Sequence, residues 1–350
     1  MIIISESPMT YRKFLLRLNK LAKIALVNYG LESAIIKFIA YSGNGLYKIT
    51  AQEEDTARSD IKPGKYTLRL HQPDYMKEAY IASEMEWLSA LHNEGICVPK
   101  PVKNRGGNWI TIADGGYEVP QARKCTLIGW TEGRVLGEKI KPKHFRALGR
   151  VIGQMHRQSR RWNPPKGFSR PHWDWEGLYG EGFSYGASAV DAREAIPKAH
   201  KSAFDETLDR VKEASEQLGK GKDVYGLIHA DLGVAENVAF YAGEARPFDF
   251  DDCGFGYWLF DLGVPLSQYF IDTGDSSPTM KNEVLAGYNE TSLSEIVGLE
   301  YLDTFVAARI AQLIFFYQAS SLANPQLKSE AKVEIKNHAR FLKLILKRMR

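Results

Sequence analysis

Cysteine is scarce: Cys97, Cys125 and Cys253 are the three present. An odd number at such wide spacings is neither a disulfide framework nor a metal-ligand pattern, and it points to a reducing, cytoplasmic setting. A dense lysine and arginine run is also missing from the body of the chain, and the formal net charge is only +4. Nucleic acid is therefore not an expected partner. The small excess suits solubility and an anionic ligand such as a nucleotide. Long apolar runs are lacking too. The most apolar late stretch, Phe305 to Tyr317, is interrupted by Arg309 and Gln312. It is too short and too polar to span a bilayer, so a buried helix is expected and no membrane. Residues Met1 to Thr10 lack the basic start and long apolar core of a signal peptide. There is no internal repeat and no low-complexity tract.

What is present fits a large globular protein. Apolar residues make up 44% of the 350 and charged residues 25%, enough for a sizeable core. At roughly 100–200 residues per domain, that length predicts two domains or lobes. Tyr11 to Gly30 has helical spacing at Phe14, Leu15, Leu18, Leu21 and Leu26. Ile35 to Ala40 and Leu46 to Ala51 read as strands of a hairpin with Gly43-Asn44-Gly45 in its turn. Lys65 to Leu70 alternates as a half-buried strand does. Tyr75 to Glu94 is a helix by its Ile81, Met85, Leu88 and Leu91, with Gly95 as the cap. Val98 to Val102, Trp109 to Ile112 and Thr126 to Trp130 are further strand candidates. From His144 onward the pattern is mostly helical, with short strands at Val238 to Tyr241 and Ala245 to Phe250. The basic end, Lys343 to Arg350, reads as an amphipathic helix with a solvated face. Strands gathered first and helices afterwards imply an α+β protein of two lobes rather than alternating βαβ units. The expected division is 1–127 for a strand-rich N-lobe with a five-stranded sheet, and 128–350 for a helical C-lobe.

The chemistry concentrates in Leu227-Ile228-His229-Ala230-Asp231-Leu232, then Asn237, then Asp249-Phe250-Asp251-Asp252. Phosphoryl transfer needs one carboxylate to orient the attacking hydroxyl and accept its proton. It needs hard oxygen ligands to hold magnesium against the phosphates, and a cation for the phosphates that stay behind. Asp231 suits the first role, and Asn237 and Asp249 the second. Taken alone, His-x-Asp is a short pattern that also describes a histidine in a turn beside a capping aspartate. Three acids within 249–252, behind an apolar strand, repel one another unless a cation sits among them.

In this order the motifs resemble the aminoglycoside phosphotransferase and choline kinase group, which has a protein-kinase-like fold and includes homoserine kinases and bacterial stress-response kinases. The resemblance spans nearly the whole chain. It includes Leu127 to Arg134 as a hinge, Leu148-Gly149 to Met155-His156 as the first C-lobe helix, and Phe260-Asp261-Leu262. It implies Asp231 as catalytic base, His229 as a brace of the catalytic loop, Asn237 and Asp249 as Mg2+ ligands, and Asp261 as a structural support for the loop backbone. Such proteins carry the amide five residues after the aspartate; here the offset is six (237 − 231), and Glu236 is the rival ligand. Protein kinases place a lysine on the third strand, paired with a helix glutamate. The matching residues here are Arg69 and Glu84, with Lys65 as a fallback cation, Glu78 as another partner, and plain solvation as the other reading of Glu84. Gly43, Asn44 and Gly45 would cover the phosphates, although Asn-Gly also serves turn geometry alone.

The acceptor site is the least determined. Asp174, Trp175, Asp252 and Trp258 are candidates, aromatic walls and acids suiting an organic cation. The tryptophans equally suit core packing. ATP is the expected donor, with GTP left open because a hinge reads bases mainly through backbone atoms. The expected partners are this nucleotide and a small-molecule hydroxyl acceptor: an amino alcohol, homoserine, a sugar or an aminoglycoside. A Ser/Thr protein kinase of the stress-response type and a non-catalytic nucleotide-binding regulator are the alternatives. Only twelve residues (261 − 249) separate Asp249 from Asp261, which disfavours a regulated activation segment. Asp231, Asn237 and Asp249 together argue against a regulator. The oligomeric state is open, a homodimer included.

Overall fold

A computed structural model describes residues 11–56, 61–73, 75–116, 121–180, 187–292 and 295–349. The reading of Met1 to Thr10 lies outside them. The chain divides into two compact units, one of residues 1–93, 98–131 and 165–169, the other of 94–97, 132–164 and 170–350. The main division thus falls four residues (131 − 127) beyond the expected one, and a short later segment returns to the first unit.

In the first unit, α1 (Tyr11–Val27) buries Leu18, Leu21, Ala22, Ala25 and Leu26, the stripe its spacing predicted. Strands β1 (Ile35–Ser42) and β2 (Asn44–Ala51) form an antiparallel hairpin, β1 with a register shift between Phe38 and Ala40. A one-turn helix α2 (Glu53–Thr56) comes after it, then β3 (Gly64–Leu70) and α3 (Glu78–Asn93), whose Ile81, Met85, Leu88 and Leu91 are buried. Next come β4 (Pro101–Val102), β5 (Thr111–Ala113) and β6 (Arg123–Gly129). The sheet runs β1-β2-β3-β6-β4, with β5 also on β6. It has six strands rather than the expected five. Two short segments, β4 and β5, pair separately along β6, so neither replaces the other. The core beneath it joins α1 to Tyr47, Ile49, Leu68, Leu70, Cys125 and Leu127.

The second unit is built on α4 (Pro142–Arg161) and α9 (Pro278–Thr291), which lie in close contact. Glycine makes that approach feasible. A Cβ on Gly149 would sit 2.0 Å from the Val284 carbonyl oxygen, and one on Gly287 would sit 1.9 Å from that of Arg146. A three-stranded sheet has the order β7 (His172–Trp173), β11 (Gly254–Tyr257), β8 (Tyr225–Ile228). A hairpin of β9 (Val238–Tyr241) and β10 (Glu244–Pro247) stands beside it. Helices α5 (Trp175–Tyr179), α6 (Ala189–Ala195), α7 (Lys201–Leu218), α8 (Trp258–Thr273), α10 (Leu302–Ala323) and α11 (Lys328–Arg348) complete it. Helix α10 is longer than the apolar stretch that announced it. The segment Leu299–Ala323 has the length and composition to cross a membrane, but most of it is buried inside the protein. Helix α11 buries Ile335, Leu342, Ile345 and Leu346, so the basic end is one face of a packed helix.

Candidate active site

Strand β8 ends at Ile228 and delivers His229, Ala230 and Asp231 into a loop. Its antiparallel partner β11 runs straight into α8, so Asp261 in the first turn of α8 lies under that loop. The Asp261 carboxylate is fully buried and collects three donors. His229 N–H binds Oδ2 at 3.1 Å, Ala230 N–H binds Oδ1 at 2.8 Å, and His156 Nε2 lies 3.0 Å from Oδ2. Ala230 has φ +67, a left-handed conformation that costs a non-glycine residue about 1–3 kcal/mol and persists only when its surroundings fix it. The two bonds to Asp261 do so. Burial alone would push the Asp261 carboxyl up, but His156 and the loop N–H groups outweigh it and hold the group below the usual carboxylate range.

The histidines are equally constrained. The Tyr288 hydroxyl is 3.0 Å from His156 Nδ1, which accepts because Nε2 donates to Asp261. His229 Nδ1 accepts the Asp231 N–H at 3.4 Å, so its Nε2–H donates to the Phe248 carbonyl at 3.1 Å. Burial lowers the pKa of both rings and keeps them neutral.

Asp231 presents two oxygens with different partners. Asn237 Nδ2 donates to Oδ2 and to the Asp231 carbonyl, both at 2.8 Å, while Arg309 of α10 donates to Oδ1. The loop turns at Gly233, whose carbonyl accepts from both Glu236 and Asn237 at 3.3 Å. Because the Asn237 Nδ2 faces Asp231, its Oδ1 is turned away from that carboxylate. Phe248 N–H then donates to the Asn237 carbonyl at 2.9 Å, which brings Asp249 beside the loop. Asp249 has φ +62 and Phe250 behind it is buried. Glu236 has its carboxyl raised by burial and by Asp231. Asp252 is pushed up to about 7 by burial and then by Asp231, with Arg309 opposing the shift. Among the described residues no group of three or more His, Cys, Asp or Glu could hold a metal by itself.

In the first unit, Arg69 Nη1 meets both Glu84 oxygens, at 2.9 and 3.2 Å, with both residues buried. Glu84 is therefore the partner, and Glu78 instead reaches Lys124 at 3.8 Å. At the hairpin tip Gly43 has φ +96, and a Cβ there would meet the Gln72 side chain at 2.4 Å. Asn44 Oδ1 accepts from the Gln72 backbone at 2.9 Å, whereas a Cβ on Gly45 would meet only ordinary contacts.

Of the four acceptor candidates, Asp252 shares the electrostatic neighbourhood of Asp231. Asp174 caps α5 through Gly177 N–H at 2.8 Å and pairs with Lys220 at 2.6 Å, partners that lie outside the loop of Asp231. Trp175 donates to the Leu208 carbonyl at 3.3 Å and packs on α7. Trp258 is buried, its ring 4.4 Å from that of His156. Sequence reading missed three residues. Arg309 was visible only as an interruption of an apolar stretch. His156 was a helix-end residue without an assigned role. Arg170, just before β7, is buried and donates to the carbonyls of Cys253 and Asp251, bracing the segment after Asp249. A charge in an otherwise apolar stretch was the available signal for the first.

Residues 51–295 match the model of the phosphotransferase enzyme family. A curated relative, amicoumacin kinase of Bacillus subtilis (strain 168), is 27% identical over 254 residues, 69% of this chain and 65% of its own. The chain thus spans less than two thirds of the length of that relative. Among solved structures, a microcompartment-associated aminopropanol kinase superposes with a TM-score of 0.76 at 25% identity, covering 95% of this chain and 98% of its own. Amicoumacin kinase hAmiN, in complex with AMP-PNP, Ca2+ and Ami, gives 0.69 at 21% identity over 93% and 98%. A spectinomycin phosphotransferase gives 0.55 at 15%, which speaks to the fold alone.

Proposed function

The chain belongs to the phosphotransferase enzyme family, and from that premise we propose that it moves the γ-phosphoryl group of ATP onto a hydroxyl of a small, amine-bearing acceptor. The observation that carries this reading is the arrangement around Asp231: a carboxylate on a loop pinned by Asp261, with Asn237 bonded to one of its oxygens. A group held in one rotamer can orient an acceptor hydroxyl and take its proton as the oxygen attacks. In the first unit the Arg69–Glu84 pair supplies a fixed cation for phosphates that are not transferred.

The donor set suits a hard divalent ion: the Asn237 amide oxygen and the Asp249 carboxylate would hold Mg2+, with nucleotide phosphates completing its shell. When bound, the ion would neutralise charge on those phosphates. Asn237 is preferred to Glu236 because its Nδ2 bond to Asp231 leaves the amide oxygen directed elsewhere, whereas burial and Asp231 both work against a charge on Glu236.

The short segment after Asp249 favours a small acceptor. Strand β11 begins at Gly254 and α8 at Trp258, so no stretch for a regulated activation segment intervenes. An amine on the acceptor is favoured by Asp252 and Glu236, acids in the electrostatic neighbourhood of Asp231. A panel of amino alcohols, beginning with 1-amino-2-propanol, tests the reading through ADP release and the mass gain of one phosphate. Turnover is expected with an amino alcohol, and a loss on the order of 100-fold in Asp231→Ala. ATP left unconsumed across the panel, or full activity in Asp231→Ala, would overturn it.

A further inference from the structure

Arg309 has no assigned part in the reaction. It lies on α10, 78 residues from Asp231 (309 − 231), in a helix whose other middle positions, Gln312 apart, are mostly apolar and buried. Its Nη2 bonds Asp231 Oδ1, and its Nη1 donates to Gln312 Oε1 at 2.6 Å. Gln312 is itself buried, so the arginine is held at both ends of its fork. A guanidinium set in an apolar helix is expensive to place and is retained only where its charge is used.

The charge around it shows what that use is. The loop from Asp231 to Asn237 reads Asp-Leu-Gly-Val-Ala-Glu-Asn, and Asp249 to Asp252 reads Asp-Phe-Asp-Asp. Neither segment contains a cation. Glu236 and Asp252 both feel Asp231 as a repelling charge and Arg309 as an attracting one. A triphosphate brought to this acidic surface would be repelled without a positive group at the point of transfer.

Distance supplies the rest. An acceptor hydroxyl bonded to Asp231 lies about 3 Å from its carboxylate. The phosphorus it attacks lies about 3–3.5 Å further on. A guanidinium on the same carboxylate is therefore within reach of the transferring oxygens.

We propose that Arg309, anchored by Gln312, is a catalytic residue that contacts the transferring phosphoryl group and steadies the charge that develops there. The inference rests on the phosphotransferase reading above. In the step, the acceptor O–H bond breaks and its proton passes to the Asp231 carboxylate. The acceptor oxygen bonds the γ-phosphorus. The bond from that phosphorus to the β,γ-bridging oxygen breaks, and its electron pair leaves on ADP. Arg309 forms no covalent bond; it offers fixed N–H donors where negative charge spreads over the equatorial oxygens. Gln312 is a positioning residue that acts through Arg309.

The test uses the full chain, with ATP and 1-amino-2-propanol, and also basal ATP hydrolysis with water as acceptor. Arg309→Met is expected to lower kcat on the order of 10²–10³-fold with little change in either KM, since the contact is made in the transition state. Arg309→Lys keeps the charge without the planar fork and is expected to recover only part of the loss. Added guanidinium at millimolar levels is expected to restore turnover in Arg309→Ala, which a purely structural role would not allow. ADP binding, read by thermal shift, is expected to be unchanged in all three. A wild-type kcat in Arg309→Met overturns the inference and leaves the parent reading standing. Should that variant fail to fold, Arg309→Lys decides: a full wild-type kcat there also overturns it. ATP left unconsumed by the wild-type protein across the whole amino-alcohol panel defeats the parent reading instead.

Discussion

The two units each carry an arginine–carboxylate pair, and the pairs differ in exposure. In the first, the Arg69 and Glu84 side chains are 4% and 1% exposed. In the second, Arg309 and Asp231 are 12% and 24% exposed. Both are short contacts of the same chemical type. Burial holds the first pair together, because neither charge has water to fall back on. Partial exposure makes the second exchangeable, because either partner can trade its bond for one to water. The same interaction thus ties a strand to a helix in one place and stays partly open to solvent in another.

The sharpest way to break this contrast is to make one substitution in both. Arg69→Met leaves Glu84 as an uncompensated buried charge, and a loss of about 3–5 kcal/mol of stability is expected in thermal or urea melts. Arg309→Met leaves Asp231 partly within reach of water, and its stability change is expected to be clearly smaller than that of Arg69→Met. Its effect should appear in turnover instead. Equal destabilisation by the two would mean that exposure does not separate them.

A second, smaller effect separates the units by pH. His156 and His229 are buried and neutral in the second unit, with folded pKa values lowered from the ordinary 6.5 by burial. The unfolded chain then binds more protons than the folded one as pH drops through that value, so stability falls with it. Asp261, held below its ordinary range, keeps contributing until still lower pH. Acid is therefore expected to weaken protection of the β8 and β11 amides between about pH 7 and 5, before those of β1 to β3. Hydrogen exchange at two pH values reads this directly. His156→Gln, which keeps a donor for Asp261 and removes the titration, is expected to flatten the slope. An unchanged slope would mean that His156 is not among the residues that set it.

Much of this was legible beforehand, for physical reasons. Helix α1 and helix α3 announced themselves because one face of each meets a core, and period 3.6 survives in the sequence. That His229, Asp231, Asn237 and Asp249 gather in one place was legible because the loop and the hairpin bring near neighbours in sequence together in space; Asp261, 30 residues (261 − 231) beyond Asp231, was reached only through the resemblance. Strand β4 was overread at its start because Val98 is buried outside the ladder, and burial, not pairing, is what hydrophobicity reports. Arg309 and His156 stayed hidden because their partners are 78 (309 − 231) and 105 (261 − 156) residues away. Periodicity describes an element's own face and carries no information about which distant element meets it.

The acceptor side tests that lesson at the smallest scale. Asp174 and Asp252 looked equivalent as acids near aromatic residues. Asp174 is engaged by the cap of α5 and by Lys220, whose side chain is 54% exposed. Asn caps a helix about as well as Asp. Asp174→Asn therefore keeps the cap and loses only a solvent-screened pair worth about 0–1 kcal/mol. No change in acceptor KM is expected. Asp252→Asn, by contrast, removes a carboxyl group from the neighbourhood of Asp231, and a bond to a charged amine is worth about 1.5–3 kcal/mol. Its acceptor KM is expected to rise on the order of 10-fold or more with an amino alcohol, and to stay unchanged with a hydroxyl acceptor lacking the amine. A rise in Asp174→Asn with none in Asp252→Asn would move the acceptor site to the depression lined by Trp175, Lys212 and Tyr257. The proximity of an acid to Asp231, rather than the aromatic residues around it, is what separates the two outcomes.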